Sequence, residues 1–336
     1  MLRSLAAMLA LFACVATTAD AQETAAKHVE ETAAALAVIR DQGFDPDASE
    51  TAIYRATADK VTRLGETPMK KKDYVRAFNA AWREGPFSHV RMQTSDKSAD
   101  ALAAELDQIR VGEGAVLSWE GDVAILTVHT MMGVDTIEQI EAAFEALGAR
   151  PGKALIIDLR HNDGGAFAVV PLVEHIIETP LDAGVFLSRK WNEGQTREPV
   201  FADVRDLQPW TGWSVQTFWR DVAATPLTRI RFTPRAAPYP HPVYVLISGE
   251  TYSAAEMAAD ALKASGRATL IGETTGGQML SQKLFDLPGG LLIGAPIADY
   301  VSFAFGRIEG VGVSPHLRVP ANEAQAAALN LIARQT

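Results

Sequence analysis

"HPVYVLISGETYSAAEMAADALKASGRATLIGETTGG", residues 241–277, decides the fold of this chain. The apolar run "HPVYVLIS" predicts a strand. The alanine-rich "SAAEMAADALKASG" then carries apolar residues at helical spacing and closes on Gly266, and "ATLIGE" predicts a second strand ahead of a glycine-rich turn. Ser253 opens the helix and Glu256 follows three residues later, a capping box in which the serine oxygen accepts from the third helical amide while the glutamate reaches back. The same place suits a nucleophile, because a hydroxyl at a helix mouth has the Ala254 N–H beside it to donate to an oxyanion. Local sequence supports both readings. The second requires a base, a further oxyanion donor and a carboxylate from elsewhere in the chain.

Working outward, the same grammar holds from about residue 111 to the end. "AVLSWEGDVAILTVHTM" predicts two strands around a Glu120-Gly121 turn, "TIEQIEAAFEALGA" an amphipathic helix and "KALIIDLR" a buried strand. "AFAVVPLVEHIIET" predicts another helix, and "LFDLPGGLLIGAPIADYVS" a hairpin. Alternating strands and helices imply an α/β layered domain over 111–336. Residues 22–110 differ: "AAALAVIRDQGF", "ETAIYRATADKVTRLG" and "KKDYVRAFNAAWREG" predict a helical domain, Gly85-Pro86 stops its third segment, and "FSHVRMQTS" reads as a loop. The stretch 185–237 is rich in Trp, Arg and Pro with weak periodicity; a substrate-facing lid and an irregular loop region both fit it. There are no internal repeats.

Hydrophobic residues make up 48% and charged residues 21%, which describes a globular chain with a substantial core. A net charge of −10 argues against nucleic acid as a partner, since binding phosphates needs a basic surface. The basic "MKKKDYVR" at 69–76 reads as the solvated start of a helix. Residues 1–21 form an export signal of bacterial type: Arg3, the short apolar "LAAMLALFACVA", and an Ala19-Asp20-Ala21 cleavage site. The expected location is periplasmic or secreted. Cys14 is the only cysteine and lies inside this signal, so a membrane tether is expected only if it is lipidated; "LFAC" puts bulky Phe12 where a lipoprotein box has a small residue. Cleavage after Ala21 leaves no thiol, which excludes a cysteine nucleophile, a thiolate metal site and disulfides.

In "LIIDLRHNDGGAF", residues 155–167, a strand runs into Gly164-Gly165 ahead of a predicted helix. Adjacent glycines let backbone amides approach a ligand, and a helix N-terminus favours negative charge, which suits an oxyanion. A plain strand-to-helix turn needing positive φ reads equally well. No G-x-G-x-x-G or Walker loop supports a nucleotide.

"ALIIDLRHNDGG", the stretch from "VYVLIS" to "GETTGG", and "RIEGVGVSPHLRVP" together resemble the core of the C-terminal-processing (tail-specific) serine peptidases, over roughly residues 113–320. That family includes the tricorn core and the interphotoreceptor retinoid-binding protein modules. The resemblance implies a spiral ββα core of the Clp-protease/crotonase-like type and Ser253 as nucleophile. It also implies an oxyanion hole from Gly164 or Gly165 with Ala254. The processing branch uses a lysine base in the turn after "GETT", but here Gln278 stands at that position, and an amide cannot take the proton. Gln282 matches a glutamine that follows the lysine. The tricorn-like branch instead uses a Ser-His pair and a glutamate near its G-V-x-P motif, which implies Ser88-His89 in "GPFSHV" and Glu309 in "RIEGVGVSP". Two departures stand out. The chain has Pro315-His316 where the family has Pro-Asp, and the stretch between His89 and the first core strand is too short for a PDZ domain.

The expectation is an exported serine-type peptidase acting on peptides or proteins, with no cofactor and no metal. Ser253, His89, Ser88 and Glu309 are the catalytic candidates, and Gln278, Gln282 and His161 are candidate substrate contacts. His161 is also the backup base. His129 and His175 read as packed or surface residues, and no H-E-x-x-H spacing appears. The alternative from a different class is an inactive binding module for a peptide or apolar ligand on the same core. A crotonase-type thioester enzyme rests on fold similarity alone.

Overall fold

The structure, a computed structural model, describes residues 25–334. The expected signal at 1–21 and Cys14 lie outside the described residues.

Three helices open the described chain: α1 (Val29–Gln42), α2 (Ala52–Glu66) and α3 (Lys71–Trp82). A short strand β1 (Arg91–Thr94) and helix α4 (Ala99–Leu106) follow. Next come β2 (Ala115–Glu120), β3 (Val123–Val128), α5 (Val134–Ala149), β4 (Ala154–Asp158) and α6 (Val169–Glu174). The tryptophan-rich stretch runs through β5 (Leu181–Ser188), α7 (Arg189–Asn192), α8 (Phe201–Val204), α9 (Val215–Ala224) and β6 (Leu227–Phe232). The chain then passes through β7 (Val243–Ile247), α10 (Ala254–Ala264), β8 (Ala268–Gly272), β9 (Ser281–Leu287) and β10 (Leu291–Ser302). It ends with β11 (Gly306–Arg307), β12 (Leu317–Arg318) and α11 (Ala324–Arg334).

These elements form two six-stranded sheets among the described residues. The first has the order β12-β8-β7-β4-β3-β2 and is parallel except for the β2–β3 hairpin. Its strands are apolar along their length because both faces are covered. α11 lays Ala324, Ala328 and Ile332 on the face made by Val123, Ile156, Tyr244 and Leu246. α5, α6 and α10 bury the other face in the main core. The second sheet is antiparallel and built on the long β10, which pairs with β1, β5, β9 and β11. One face of it packs against α10 through Ala298 and Tyr300, and α1–α3 pack on Leu287, Leu291 and Ile293.

Three segments differ from expectation. "FSHVRMQTS" is not all loop: Arg91–Thr94 pairs with Leu291–Gly294, so the end of the helical region is a strand of the second sheet. Four residues carry too little pattern to announce a strand; the exposed edge of β10 recruits them. The helix in "AFAVVPLVEHIIET" is only the six residues of α6, because Ala166 and Ala168 spend their amides on the Met131 carbonyl and hold the chain as a loop. The 185–237 stretch is largely regular structure, with β5 and β6 paired and α9 packed between the sheets' shared core and β9.

Asp260, on the inner face of α10, is fully buried, and among the described residues neither carboxyl oxygen has a hydrogen-bond partner. Burial pushes it up to about 7, offset only in part by the Ser302 hydroxyl and the Lys263 ammonium. A carboxyl whose folded pKa is raised favours folding while it is neutral and loses that contribution as it must ionise. Stability therefore falls as pH climbs from about 4 through about 7. Urea unfolding at pH 5 and pH 8 is expected to show a lower midpoint at pH 8, and D260N is expected to remove most of that difference. A pH-independent midpoint in the wild type would contradict this.

Candidate active site

Ser253 sits at the turn from β7 into α10 with φ 54° and ψ −122°, a backbone conformation that a β-substituted residue adopts only under constraint. Its carbonyl accepts the first helical amides, from Glu256 N at 2.8 Å and Met257 N at 3.0 Å, and its side chain makes no cap bond. The glutamate half of the expected box does form: Ser253 N donates to Glu256 Oε2 at 3.0 Å. Among the described residues Ser253 Oγ makes no hydrogen bond, and Ser253 lines the wall of a cavity.

Glu256 does more than complete a cap. It is fully buried, and its two oxygens also accept from Thr275 Oγ1 at 2.5 Å, Gly277 N at 2.8 Å and Gln278 N at 2.8 Å. Burial raises its pKa, and these donors pull against that rise. Thr275 Oγ1 in turn accepts from Val313 N at 2.7 Å, which ties in the loop bearing Glu309.

His89 approaches from the opposite side. It too has positive φ, 63°, and its Nδ1 lies 2.6 Å from Ser88 Oγ. Glu309 accepts from Ser88 N at 3.3 Å and from Met279 N at 2.7 Å. Burial lowers the His89 pKa, and the nearby Glu309 carboxylate partly restores it. The imidazole is thus held neutral near pH 7. Among the described residues, Ser253 and His89 are the only non-glycine residues with positive φ, and both line one cavity. No hydrogen bond joins their side chains among the described residues.

The glycine loop closes the third side. A Cβ on Gly164 would lie 2.6 Å from the Ser253 Cβ, and one on Gly165 would lie 2.3 Å from Met132 N. Only glycines allow this approach. Gly164 N is already committed to Asn162 Oδ1 at 2.9 Å. Gly165 N and Ala254 N donate to nothing among the described residues, and both residues line the same cavity as Ser253. α6 starts at Val169, four residues past Gly165, and is only six residues long.

The cavity between these groups measures about 390 Å³ and is lined mainly by apolar side chains. Gln282 lines it. Gln278 does not; its side chain is exposed while its backbone serves Glu256. His161 is exposed and pairs through Nδ1 with Glu250 Oε2 at 2.8 Å, away from the cavity lining. Among the described residues no group of His, Cys, Asp or Glu is placed to hold a metal, and no helix is long and apolar enough to cross a membrane.

A family model for peptidase family S41 matches residues 122–319, more than half of the chain. The chain belongs to this family. It is 30% identical over 165 residues to a carboxyl-terminal-processing protease of Picosynechococcus sp., a match covering 49% of this chain and 31% of that protein. Across the first three curated relatives the matches span 31%, 41% and 36% of their own length. The photosystem II D1 C-terminal processing protease superposes with a TM-score of 0.51 at 15% identity, over 88% of this chain and 94% of that one. The tricorn protease superposes with a TM-score of 0.54 at 12% identity, over 92% of this chain and 36% of that one. At such identities the two structures show a shared fold.

Two organising residues escaped the sequence reading. Glu256 was legible only as a cap partner. Asn162, fully buried, donates from Nδ2 to Val128 O at 2.9 Å, accepts Gly164 N on Oδ1, and takes Tyr252 N on its carbonyl at 3.0 Å. An asparagine just ahead of paired glycines is a signal for such a side-chain-braced turn. E256A strands four buried or half-buried donors, so it is expected to lower unfolding free energy by roughly 2–5 kcal/mol, with E256Q losing less. A denaturant titration showing less than about 1 kcal/mol for E256A would count against this role.

Proposed function

We propose that the chain is an exported serine-type peptidase in which Ser253 is the nucleophile and His89 the general base. The observation that carries this reading is the pair of strained residues: the two non-glycine positive-φ positions are the serine and the histidine, and they face one cavity from different sheets. Backbone strain of this kind collects at reacting groups. With the Nδ1 proton donated to Ser88 Oγ, the His89 Nε2 lone pair is free to take the Ser253 proton as Oγ attacks the scissile carbonyl. The tetrahedral oxyanion accepts from Gly165 N–H and Ala254 N–H, each such donor being worth on the order of 3 kcal/mol. His89 then passes its proton to the departing amine, and water repeats the sequence on the acyl-enzyme. Glu309, whose charge raises the His89 pKa, stabilises the transient imidazolium. A peptide or protein is the substrate, and residues 1–21 direct the protein to the periplasm or beyond.

The binding-module reading draws on the missing bond between Ser253 and His89. Hydrogen bonds between catalytic groups often close only around substrate, so the missing bond is weak support. A fluorophosphonate probe separates the two: it is expected to label the wild type, spare S253A, and label H89A about 10²–10⁴-fold more slowly. Equal labelling of the wild type and S253A would remove Ser253 from the scheme.

The pH dependence follows from the His89 environment. Because its pKa lies below the ordinary 6.5, the acid limb of kcat/KM is expected below that value. E309Q removes the interaction that raises the pKa, so the limb should move to still lower pH. A limb that stays put or moves up in E309Q would show that another group titrates.

A further inference from the structure

The cavity beside Ser253 has more room than one reacting carbonyl needs. Its volume is about 390 Å³, against roughly 150 Å³ for a protein cavity that takes up one benzene. The wall starts at Phe167, two residues beyond the free donor Gly165 N. Phe167 stacks on Trp210 with centroids 5.6 Å apart and meets Trp213 edge-on at 6.2 Å and Phe218 at 6.4 Å. Trp210 and Phe218 meet edge-on at 4.9 Å.

The rings from the tryptophan-rich stretch are fixed by polar anchors. Trp210 N donates to Arg229 O at 2.9 Å and Trp210 Nε1 to Asp221 Oδ2 at 3.2 Å. Ser214 Oγ, at the start of α9, donates to Asp107 Oδ2 at 2.6 Å. A wall held this way is preorganised and is not a disordered flap.

Two charged residues also line the cavity, and each has a counter-ion. Arg231 lies 3.6 Å from Asp182, and Glu174 lies 3.6 Å from Arg235 and accepts Thr233 N at 3.0 Å. A charged substrate group entering here would lose hydration and find no unpaired charge of opposite sign. An aromatic or branched apolar side chain would exchange water for ring faces and edges.

Building on the peptidase reading above, we propose that the cavity receives the side chain of the residue supplying the scissile carbonyl. That residue is bulky and aromatic or branched apolar, and Trp210 and Phe218 are the specificity-determining residues. The 205–219 segment is then a selector built onto the oxyanion loop through Phe167.

The experiment uses the full chain and fluorogenic peptides that differ only at that residue: Phe, Leu, Ala, Asp or Lys. Phe and Leu peptides are expected to exceed the Ala peptide in kcat/KM by about 10-fold or more, in line with about 10–200-fold per methylene in apolar pockets, with Asp and Lys lowest. W210A and F218A are each expected to cut the Phe-to-Ala ratio by about 10-fold. Val170→Phe narrows the cavity without removing the wall, so it should shift the ratio toward Ala. Fluorophosphonate labelling of each variant reports whether the nucleophile is intact. The proposal fails if labelled wild type cuts the Ala, Asp or Lys peptide as well as the Phe peptide, or if labelled W210A and F218A keep the wild-type ratio. A wild type that is neither labelled nor cuts any peptide overturns the peptidase reading and this selectivity with it.

Discussion

The geometry of the site depends on one buried carboxylate. Glu256 collects donors from the Ser253 amide, a threonine hydroxyl and two successive amides of the 275–278 turn. In a dry environment the charge is costly, and four converging donors are what make it tolerable. The next amide along the same turn, Met279 N, goes instead to Glu309, which also holds Ser88 N. Three consecutive backbone amides are thus divided between two carboxylates, one braced against the serine and one against the histidine pair. The turn sets the separation of the two halves through these amides and the Thr275 hydroxyl.

That division coincides with the seam between the sheets. Ser253 leaves the end of β7 in the parallel sheet, while His89 precedes β1, which pairs with β10 in the antiparallel sheet. The two sheets share one core in which Ala254, Met257 and Ala258 of α10 pack with Ala298 and Tyr300 of β10. His89 is therefore positioned by a strand ladder and by the packing of α1–α3 on β10. It is not carried on a separate flexible element. The cavity opens along this seam because neither sheet alone closes it.

The strand–helix–strand core was legible because its apolar runs are long, periodic and punctuated by glycine, and the capping pair Ser253 and Glu256 marked the start of α10 correctly. What stayed hidden is what pairing at a distance decides. Arg91–Thr94 becomes a strand only because β10 offers an edge, and the helix after Gly165 is cut short because Met131, far away in sequence, takes the amides of Ala166 and Ala168. That Asn162 occupies the Gly164 amide and leaves the Gly165 amide open was not legible locally either. The ring wall of 205–219 has no periodicity to detect, because its residues converge from a loop and a helix onto Phe167.

Gln278, where the processing branch has its lysine, and His316, where the family has aspartate, have physical accounts in the same terms. At Gln278 the position supplies a backbone amide to Glu256, which any non-proline residue can do, and the side chain is exposed. At His316 the ring Nδ1 accepts Leu270 N at 2.9 Å while His316 N donates to Leu270 O at 2.8 Å, bridging β8 to the loop after Glu309. A carboxylate could accept that amide as well, but beside a partly buried strand end a neutral ring does so without stranding a charge. Partial desolvation lowers the pKa of this ring, and the Lys263 ammonium nearby lowers it further. Both substitutions keep the backbone contact and change only the side chain that the contact does not use or the acceptor that makes it. The backbone framework around Ser253 therefore holds with Gln278 at the position where the resembling branch has a lysine.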